Sequence, residues 1–599
     1  MPDDAAGGSS AVPKPFTPPP PPPSAPSPGR TTPATPAHPK ESVKETIISV
    51  IIAFAMAFVF RSFVAEAFII PTGSMAPTLN GAHMRFVSPY TGEDWAVSPW
   101  FFIDNNSQNP YPSQGDEAAN RIRGAGRGVT VHDPVTGLDV FDQVGKARAG
   151  DRIFVLKYLY GIQSPEPYDV VVFKNPTQPD ENYIKRLIAL PGEQVALVDG
   201  DVFVRPAPKE AGAGNPWEGK DWTIRRKPEV AQRAVWLPVY DSSLMTAAAV
   251  SKGAQSPWVA GGGATAADGG AVFKVTAAPS TIAWDRTKPF VLVPGNPSTA
   301  DADRTREIND RYAYNEAPGH YANQPRFPVG DIRVRATAVV RKDQSDVSAM
   351  KLDAVIEARG HEFRASIAGG RAVLTMRPLA GGEARVVAEG DAGFGRDGRP
   401  PGGPVPIEFW HSDQRLELYV NGERVASGGY DWLPMERLRN ALTPGAWEQF
   451  TGKAPTRSGN ILADAASYVT SSARLEVSGA EMELRAVALD RDLFYRPATY
   501  PSGPTQRLLA GTPGAATHPS STLTLKDDQY FVCGDNSPSS LDARLWGYPD
   551  PWVAEEFDAS PSVVSRRLLM GKAFFVYFPS PVGGSPVGVP DFGRLRAIR

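Results

Sequence analysis

Ser74 and Lys185 are the residues of this 599-residue chain whose types and surroundings suit covalent chemistry. Ser74 stands in the run Ile70-Pro71-Thr72-Gly73-Ser74-Met75-Ala76-Pro77-Thr78-Leu79. Pro71, Gly73 and Pro77 restrict that run to a tight irregular loop, which can hold a hydroxyl and a backbone N–H in fixed geometry. Lys185 stands in Tyr183-Ile184-Lys185-Arg186-Leu187-Ile188-Ala189-Leu190-Pro191-Gly192. On a strand, side chains alternate between faces, so Lys185 shares a face with Tyr183, Leu187 and Ala189. An amine among apolar neighbours loses hydration, and its pKa falls. The fall matters because at the ordinary value of about 10.4 only about one lysine in a few thousand is neutral at pH 7. A neutral amine takes a proton from serine and an ammonium does not. A third segment, Gly534-Asp535-Asn536-Ser537-Pro538-Ser539-Ser540-Leu541-Asp542-Ala543-Arg544, adds hydroxyls and an acid–base pair at the end of a strand. Each segment taken alone also has a plainer reading: a turn hydroxyl, a lysine snorkelling from a half-exposed strand, and an Asx-rich turn.

The elements that must position these residues follow from composition and periodicity. Residues 1–42 are rich in Pro, Ala, Ser and Thr, with unbroken proline from Pro18 to Pro23, and read as a disordered tail. Residues 43–65 contain the uncharged run Thr46–Phe60 and reach the ~20 residues that a membrane-crossing helix requires. Lys40 and Lys44 precede this span and few basic residues follow it closely. That bias predicts a cytoplasmic N-terminal tail and an outward-facing C-terminal part. A cleaved signal peptide is the rival reading, with Ala65-Glu66-Ala67 resembling a cleavage site, but its polar leader would be far longer than usual.

Beyond the span the pattern turns to β, and the fold class expected is mainly β. Strands are predicted at 151–160, 169–174, 182–190 and 194–204, and again at 529–533 and 572–578. This gives a first core part at 66–204, interrupted by an extra segment at 81–149, and a second core part at 526–599. The extra segment carries Trp95, Trp100, Phe101 and Phe102, which suit either a small local core or a bilayer surface.

Composition narrows the function classes. A formal charge of −3 gives no electrostatic case for binding nucleic acid. The single cysteine, Cys533, excludes an internal disulfide and a cysteine-based zinc site, and reads as a small core residue. The seven histidines are scattered, so neither a metal nor another cofactor is expected.

In order and behind an anchor, the three segments resemble the conserved boxes of type I signal peptidases, the Ser–Lys proteases that remove signal peptides from exported proteins. Arg61-Ser62-Phe63 and Gly571-Lys572-Ala573 are similar to that family as well. The resemblance covers roughly 43–80, 150–204 and 525–580. It implies a bacterial inner-membrane, single-pass enzyme whose catalytic part faces the periplasm. Ser74 would be the nucleophile and Lys185 the general base, a variant of the serine-protease scheme without histidine. Ser540 would orient the lysine, and the Thr72 hydroxyl would join the Ser74 N–H in the oxyanion hole. Asp535, Asp542, Arg544 and Arg186 would be structural supports, with an Asp535–Arg186 ion pair. Phe68, Ile70, Met75, Leu79 and Ile184 would line small pockets for an Ala-X-Ala substrate. The partners implied are preprotein signal peptides and the lipid bilayer. Three features depart from the family pattern: Thr72 stands where serine is usual, Ser537-Pro538 replaces an Arg-Asp pair, and the segment at 81–149 is extra.

Residues 205–525 form a long insertion. Strands are predicted at 331–340, 363–367, 372–376, 407–410 and 416–420, and within 475–493. Asn421-Gly422 is a type I′ hairpin signal. These read as a β-sandwich at about 330–495, with a local resemblance to laminin-G or concanavalin-like jelly rolls. Such folds often bind glycans, so a glycan or protein ligand and a plain scaffold role both stand; His361 and His411 read as structural. For the whole chain, two other readings remain: a membrane-tethered binding protein with an inactive peptidase core, and a self-cleaving repressor, which would need a DNA-binding head.

Overall fold

The structure is a computed structural model, and it describes residues 43–59, 64–99, 129–142, 147–210, 214–288, 306–316, 325–341, 347–393, 400–453, 460–501, 509–579 and 591–598. The Pro-rich tail, Arg61-Ser62-Phe63, Trp100, Phe101 and Phe102 lie outside these residues. The fold is mainly β, and among the described residues all strand pairs are antiparallel.

The chain forms two compact units, Met1–Val59 and Phe60–Arg599. In the first, an apolar helix covers Val43–Val59 with every side chain exposed. Its 17 residues rise about 25 Å, short of a ~30 Å hydrocarbon core. Among the described residues no helix is long and apolar enough to cross a membrane. The helical reading of 43–65 stops short at its far end, where Ala65 opens a strand.

In the second unit, one sheet positions the three chemical segments. Its strands run in the order Ala65–Ile69, Arg152–Leu156, Leu569–Phe578, Val170–Asn175, Gln178–Ala189, Gln529–Cys533 and Val564–Ser565. The Ser74 loop leaves the first strand. Lys185 lies in the fifth, opposite Val171, and Cys533 in the sixth pairs with Arg186. This register brings Gly534 and Asp535 beside the lysine. A small second sheet contains Glu193–Val198 and Asp201–Pro206. The single strand predicted over 194–204 is therefore a hairpin. Its turn is Asp199-Gly200, both at positive φ, a conformation that glycine readily adopts and aspartate tolerates.

The long insertion builds a 13-stranded sheet that starts earlier than the sequence suggested. Leu237–Asp241, Trp258–Ala267 and Val272–Trp284 join the strands from Ile332–Val340 to Met482–Arg491. The end strands Arg385–Asp391 and Glu423–Gly429 pack on each other, so the sheet doubles over one core. Asn421 and Gly422 form the hairpin turn between Arg415–Val420 and Glu423–Gly429, again at positive φ. His411 is fully buried and neutral, its pKa lowered to about 3 by burial, and its ring bonds Gly330 O and the Tyr430 hydroxyl. His361 bonds the Arg359 carbonyl. The segment after Asn80 forms two hairpins, Met84–Val87 with Asp94–Val97 and Val129–His132 with Asp139–Asp142. Trp95 is buried there in a local core with Met84, Phe86, Val97, Val131 and Val140.

The insertion is not separable from the sheet that carries Lys185. Val235, Leu237, Tyr312, Leu493 and Tyr495 share one core with Val171, Leu187, Phe531 and Cys533. Buried ion pairs tie the insertion to the small second sheet as well. Arg437 pairs with Asp201 at 2.6 Å and Asp199 at 3.0 Å, and Arg359 pairs with Asp199 at 2.5 Å and Asp331 at 2.6 Å.

Candidate active site

Ser74 sits in a short 3-10 turn, Gly73–Met75, and is only 7% exposed. Lys185 is 3% exposed, because the strand Gln178–Ala189 is covered on both faces from Ile184 onward. Lys185 Nζ and Ser74 Oγ lie 2.6 Å apart, in hydrogen-bond contact across 111 positions of sequence. The Tyr183 ring lies on the same side of the strand, 5.1 Å from Nζ. Burial pushes the lysine pKa down to about 8, against the pull of Asp542, Cys533 and Asp535 in the other direction. Cys533 is fully buried and its thiol pKa is raised by burial, so it stays neutral.

Arg186, on the opposite face of the same strand, is also buried. Its Nε and Nη2 donate to Asp535 Oδ1 and Oδ2 at 2.7 and 2.6 Å, a bidentate pair closed to solvent. A second such pair braces the loop: Arg544 Nε and Nη2 donate to Asp542 at 2.8 Å each. Burial alone would raise the Asp542 carboxyl, but Arg544 holds it below its ordinary value. Asp542 also accepts from the Gly534 N–H at 2.9 Å. Ser537 Oγ accepts from Arg544 Nη1 at 2.6 Å and from the Arg496 N–H at 2.8 Å.

The Gly-Asp-Asn loop grips the Ser74 turn directly. The Asn536 N–H donates to Ser74 O at 3.0 Å, and its carboxamide donates to Gly73 O at 2.9 Å. Gly534 has to be glycine, since a Cβ there would stand 2.3 Å from Ser540 Oγ and 2.5 Å from Ser74 O. Ser540 is buried, and its hydroxyl makes no hydrogen bond to Lys185. Thr72 caps the turn in extended conformation, and its hydroxyl is not spent on a capping bond.

Phe68, Ile70, Met75, Leu79 and Ile184 all belong to one apolar cluster, with Ile153, Val155, Val170 and Val172. Met75 and Leu79 have no exposed surface, so they underlie that cluster, whereas Phe68 is half-buried at its edge.

Sequence reasoning assigned no role to Asn536, nor to the insertion residues Tyr312, Tyr314 and Asn315, which reach this turn. The one local signal that could have found them is the pair of glycines at 73 and 534, which permit close backbone approach. For metals, the acidic oxygens of Asp201, Asp331 and Asp413 come within 4.8 Å of one another. Arg437, Arg359 and Lys227 already neutralise them, at 2.6 Å each, so the cluster is an ion-pair network of the protein itself.

The sequence profile described as "Signal peptidase, peptidase S26" matches residues 43–111 and 146–237. These stretches contain both Ser74 and Lys185, so the part of the chain that carries the two residues is similar to peptidase family S26. Its curated relatives carry the name signal peptidase I. The Rickettsia typhi protein is 24% identical over 181 residues, 30% of this chain and 50% of that protein. The Pseudomonas aeruginosa protein is 41% identical over 58 residues, 8% of this chain and 20% of that protein. The same stretches are similar to type I signal peptidases. It spans about half the length of the Rickettsia typhi relative. Among solved structures, the carbohydrate binding module CBM66 from Bacillus subtilis is similar at 9% identity and a TM-score of 0.20, over 39% of this chain and 96% of that one. Sheep galectin-11 is similar at 13% identity and a TM-score of 0.16, over 28% and 94%. Likenesses this slight assign no ligand to the insertion.

Proposed function

We propose that this chain is a serine endopeptidase that removes N-terminal signal peptides from exported preproteins, cutting after small residues in an Ala-X-Ala pattern. The observation that carries the reading is the 2.6 Å contact between a buried lysine amine and a serine hydroxyl, with the amine held near pKa 8. At pH 7 about one such lysine in ten is neutral. The neutral Nζ takes the Ser74 proton as Oγ attacks the scissile carbonyl carbon. The resulting oxyanion is received by the Ser74 N–H and the Thr72 hydroxyl. The Lys185 ammonium then gives its proton to the leaving amine, and the peptide bond breaks to leave an acyl-Ser74 ester. Water attacks that ester with Lys185 again taking the proton, and the serine is restored. Ser540 lies beside Gly534 with its hydroxyl unbonded to Lys185, so it would orient the amine only by a rotation that brings the hydroxyl to Nζ. Asp535–Arg186 and Asp542–Arg544 hold the two loops in register.

Phe68, Ile70 and Ile184 shape the pockets that accept alanine-sized side chains, with Met75 and Leu79 as their floor. The helix Val43–Val59 and the residues after it anchor the chain in the bacterial inner membrane, with the N-terminal tail in the cytoplasm and the catalytic unit outside. Lys40 and Lys44 on the N-terminal side favour that orientation.

The decisive test is cleavage of an Ala-X-Ala preprotein. Wild type is expected to cut it, and Ser74→Ala and Lys185→Ala to leave it intact; equal cutting by either variant refutes the mechanism and favours an inactive core that carries a binding domain. Replacing the alanine before the cut by phenylalanine is expected to abolish cleavage by wild type. For the anchor, full-length protein is expected to stay with carbonate-washed membranes, while a chain beginning at residue 64 is released.

A further inference from the structure

The Gly73–Ser74 peptide is held by a relay that starts in the long insertion. Asn536 Nδ2 has two hydrogens. One goes to Gly73 O at 2.9 Å and the other to Asn315 Oδ1 at 2.8 Å. In return Asn315 Nδ2 donates to Asn536 Oδ1 at 2.7 Å. The two carboxamides thus form a reciprocal pair, and only this orientation of Asn536 offers a donor to the Gly73 carbonyl. A flipped carboxamide would point oxygen at oxygen.

Asn315 is itself firmly placed. The neighbouring Tyr314 is buried with its ring against Gly73, where a Cβ would come within 2.0 Å of a ring carbon. The Tyr314 hydroxyl donates to Ala82 O at 2.8 Å, and its carbonyl accepts from the Ser98 N–H at 2.7 Å. The Tyr312 hydroxyl donates to Asp535 O at 2.5 Å. Arg491, at the end of the strand Met482–Arg491, stacks on the Tyr312 ring at 4.4 Å and donates to Arg311 O at 2.8 Å.

The Gly73–Ser74 peptide bond is trans, so its carbonyl and its N–H point in opposite directions across one plane. Fixing the carbonyl therefore fixes the direction of the N–H. A donor aimed beforehand at a developing oxyanion lowers the barrier without reorganising during the reaction. We propose that Asn315 is a positioning residue for the oxyanion pocket: by locking the Asn536 carboxamide it sets the plane of the peptide whose N–H, that of Ser74, receives the negative charge. This deepens the Ser–Lys reading above and rests on it. The insertion thereby completes the catalytic loop rather than merely interrupting the chain.

The test uses full-length protein and an Ala-X-Ala preprotein, with Asn315→Ala, Asn315→Leu and Ser74→Ala compared with wild type. Leucine matches asparagine in bulk but lacks both polar groups. Both Asn315 variants are expected to lose kcat alike, on the order of ten-fold, less than the roughly 10²–10³ lost with an oxyanion donor itself. KM and the acid limb of the pH profile, which report substrate binding and Lys185, are expected to stay put. The inference is overturned if Asn315→Leu keeps wild-type kcat, if KM rises in place of the kcat loss, or if the acid limb moves. It is equally overturned if both variants lose their cooperative thermal transition, because Asn315 then serves the fold. Cleavage by Ser74→Ala would bring down the underlying mechanism and this inference with it. An inactive Ser74→Ala beside fully active Asn315 variants removes this inference alone.

Discussion

Lys185 is held where its charge is unwelcome, and that has two measurable consequences. With its pKa near 8, kcat/KM should rise about ten-fold per pH unit below that value and level off above it, a limb readable between pH 6 and 9. The second consequence is for stability. The unfolded lysine titrates near 10.4, so between about pH 8 and 10.4 the unfolded state binds more protons and wild-type stability rises with pH. Below pH 8 the folded chain carries the full cost of a buried ammonium, about 3 kcal/mol. Lys185→Met should therefore be inactive yet more stable than wild type at pH 7, with the gap in denaturant midpoint closing as pH rises from 8 past 10. A gap independent of pH would mean that the amine is not strained by burial.

At the scale of elements, the proposed catalysis depends on two loops pressed together with no room between them. The Gly534 Cα faces both the Ser540 side chain and the Ser74 carbonyl. Gly534→Ala would force the Gly-Asp-Asn loop away from the serine turn and loosen both Asn536 bonds. A loss of kcat exceeding ten-fold is expected, together with a lower thermal midpoint; wild-type kinetics would show that the loops have slack. Most of these elements were legible beforehand. Gln529–Cys533 is a compact run of β-forming residues, and Asn421-Gly422 a turn with a known backbone preference, so local propensity alone placed them. The Asp199-Gly200 turn carries an equally local signal, yet the apolar run around it reads as one continuous strand. Strands 258–267 and 272–284 are rich in Gly, Ala and Thr, so their apolar alternation is weak. Their strand character comes from pairing with each other and with Ser472–Ser478 and Met482–Arg491.

At the scale of the whole molecule, insertion residues enter the core of the Lys185 sheet, and buried charge joins the insertion to the small sheet beside it. Arg437 is fully buried against Asp199 and Asp201, so Arg437→Ala would leave two carboxylates buried with weakened compensation, a loss of about 3–5 kcal/mol. Because the insertion supplies Val235, Leu237, Tyr312, Leu493 and Tyr495 to the core of the Lys185 sheet, residues 64–599 should unfold in a single calorimetric transition, and Arg437→Ala should lower that transition as a whole. Two separated transitions, with only the later one touched by Arg437→Ala, would show instead that the insertion is an independent domain.

What the sequence determined by itself is chemistry written in short runs: a serine in a Pro/Gly loop, a lysine among apolar strand residues, a Gly-Asp-Asn loop, and the order in which they follow an apolar helix. Those properties depend on neighbours within about ten positions, so they survive without coordinates. What only the tertiary structure decided is which groups meet. The 2.6 Å distance between Ser74 and Lys185 and the reach of Asn315 to Asn536 across 221 positions both depend on strand register and on packing between distant segments. No local pattern encodes such meetings, because each is fixed by the summed burial and pairing of elements far apart in the chain.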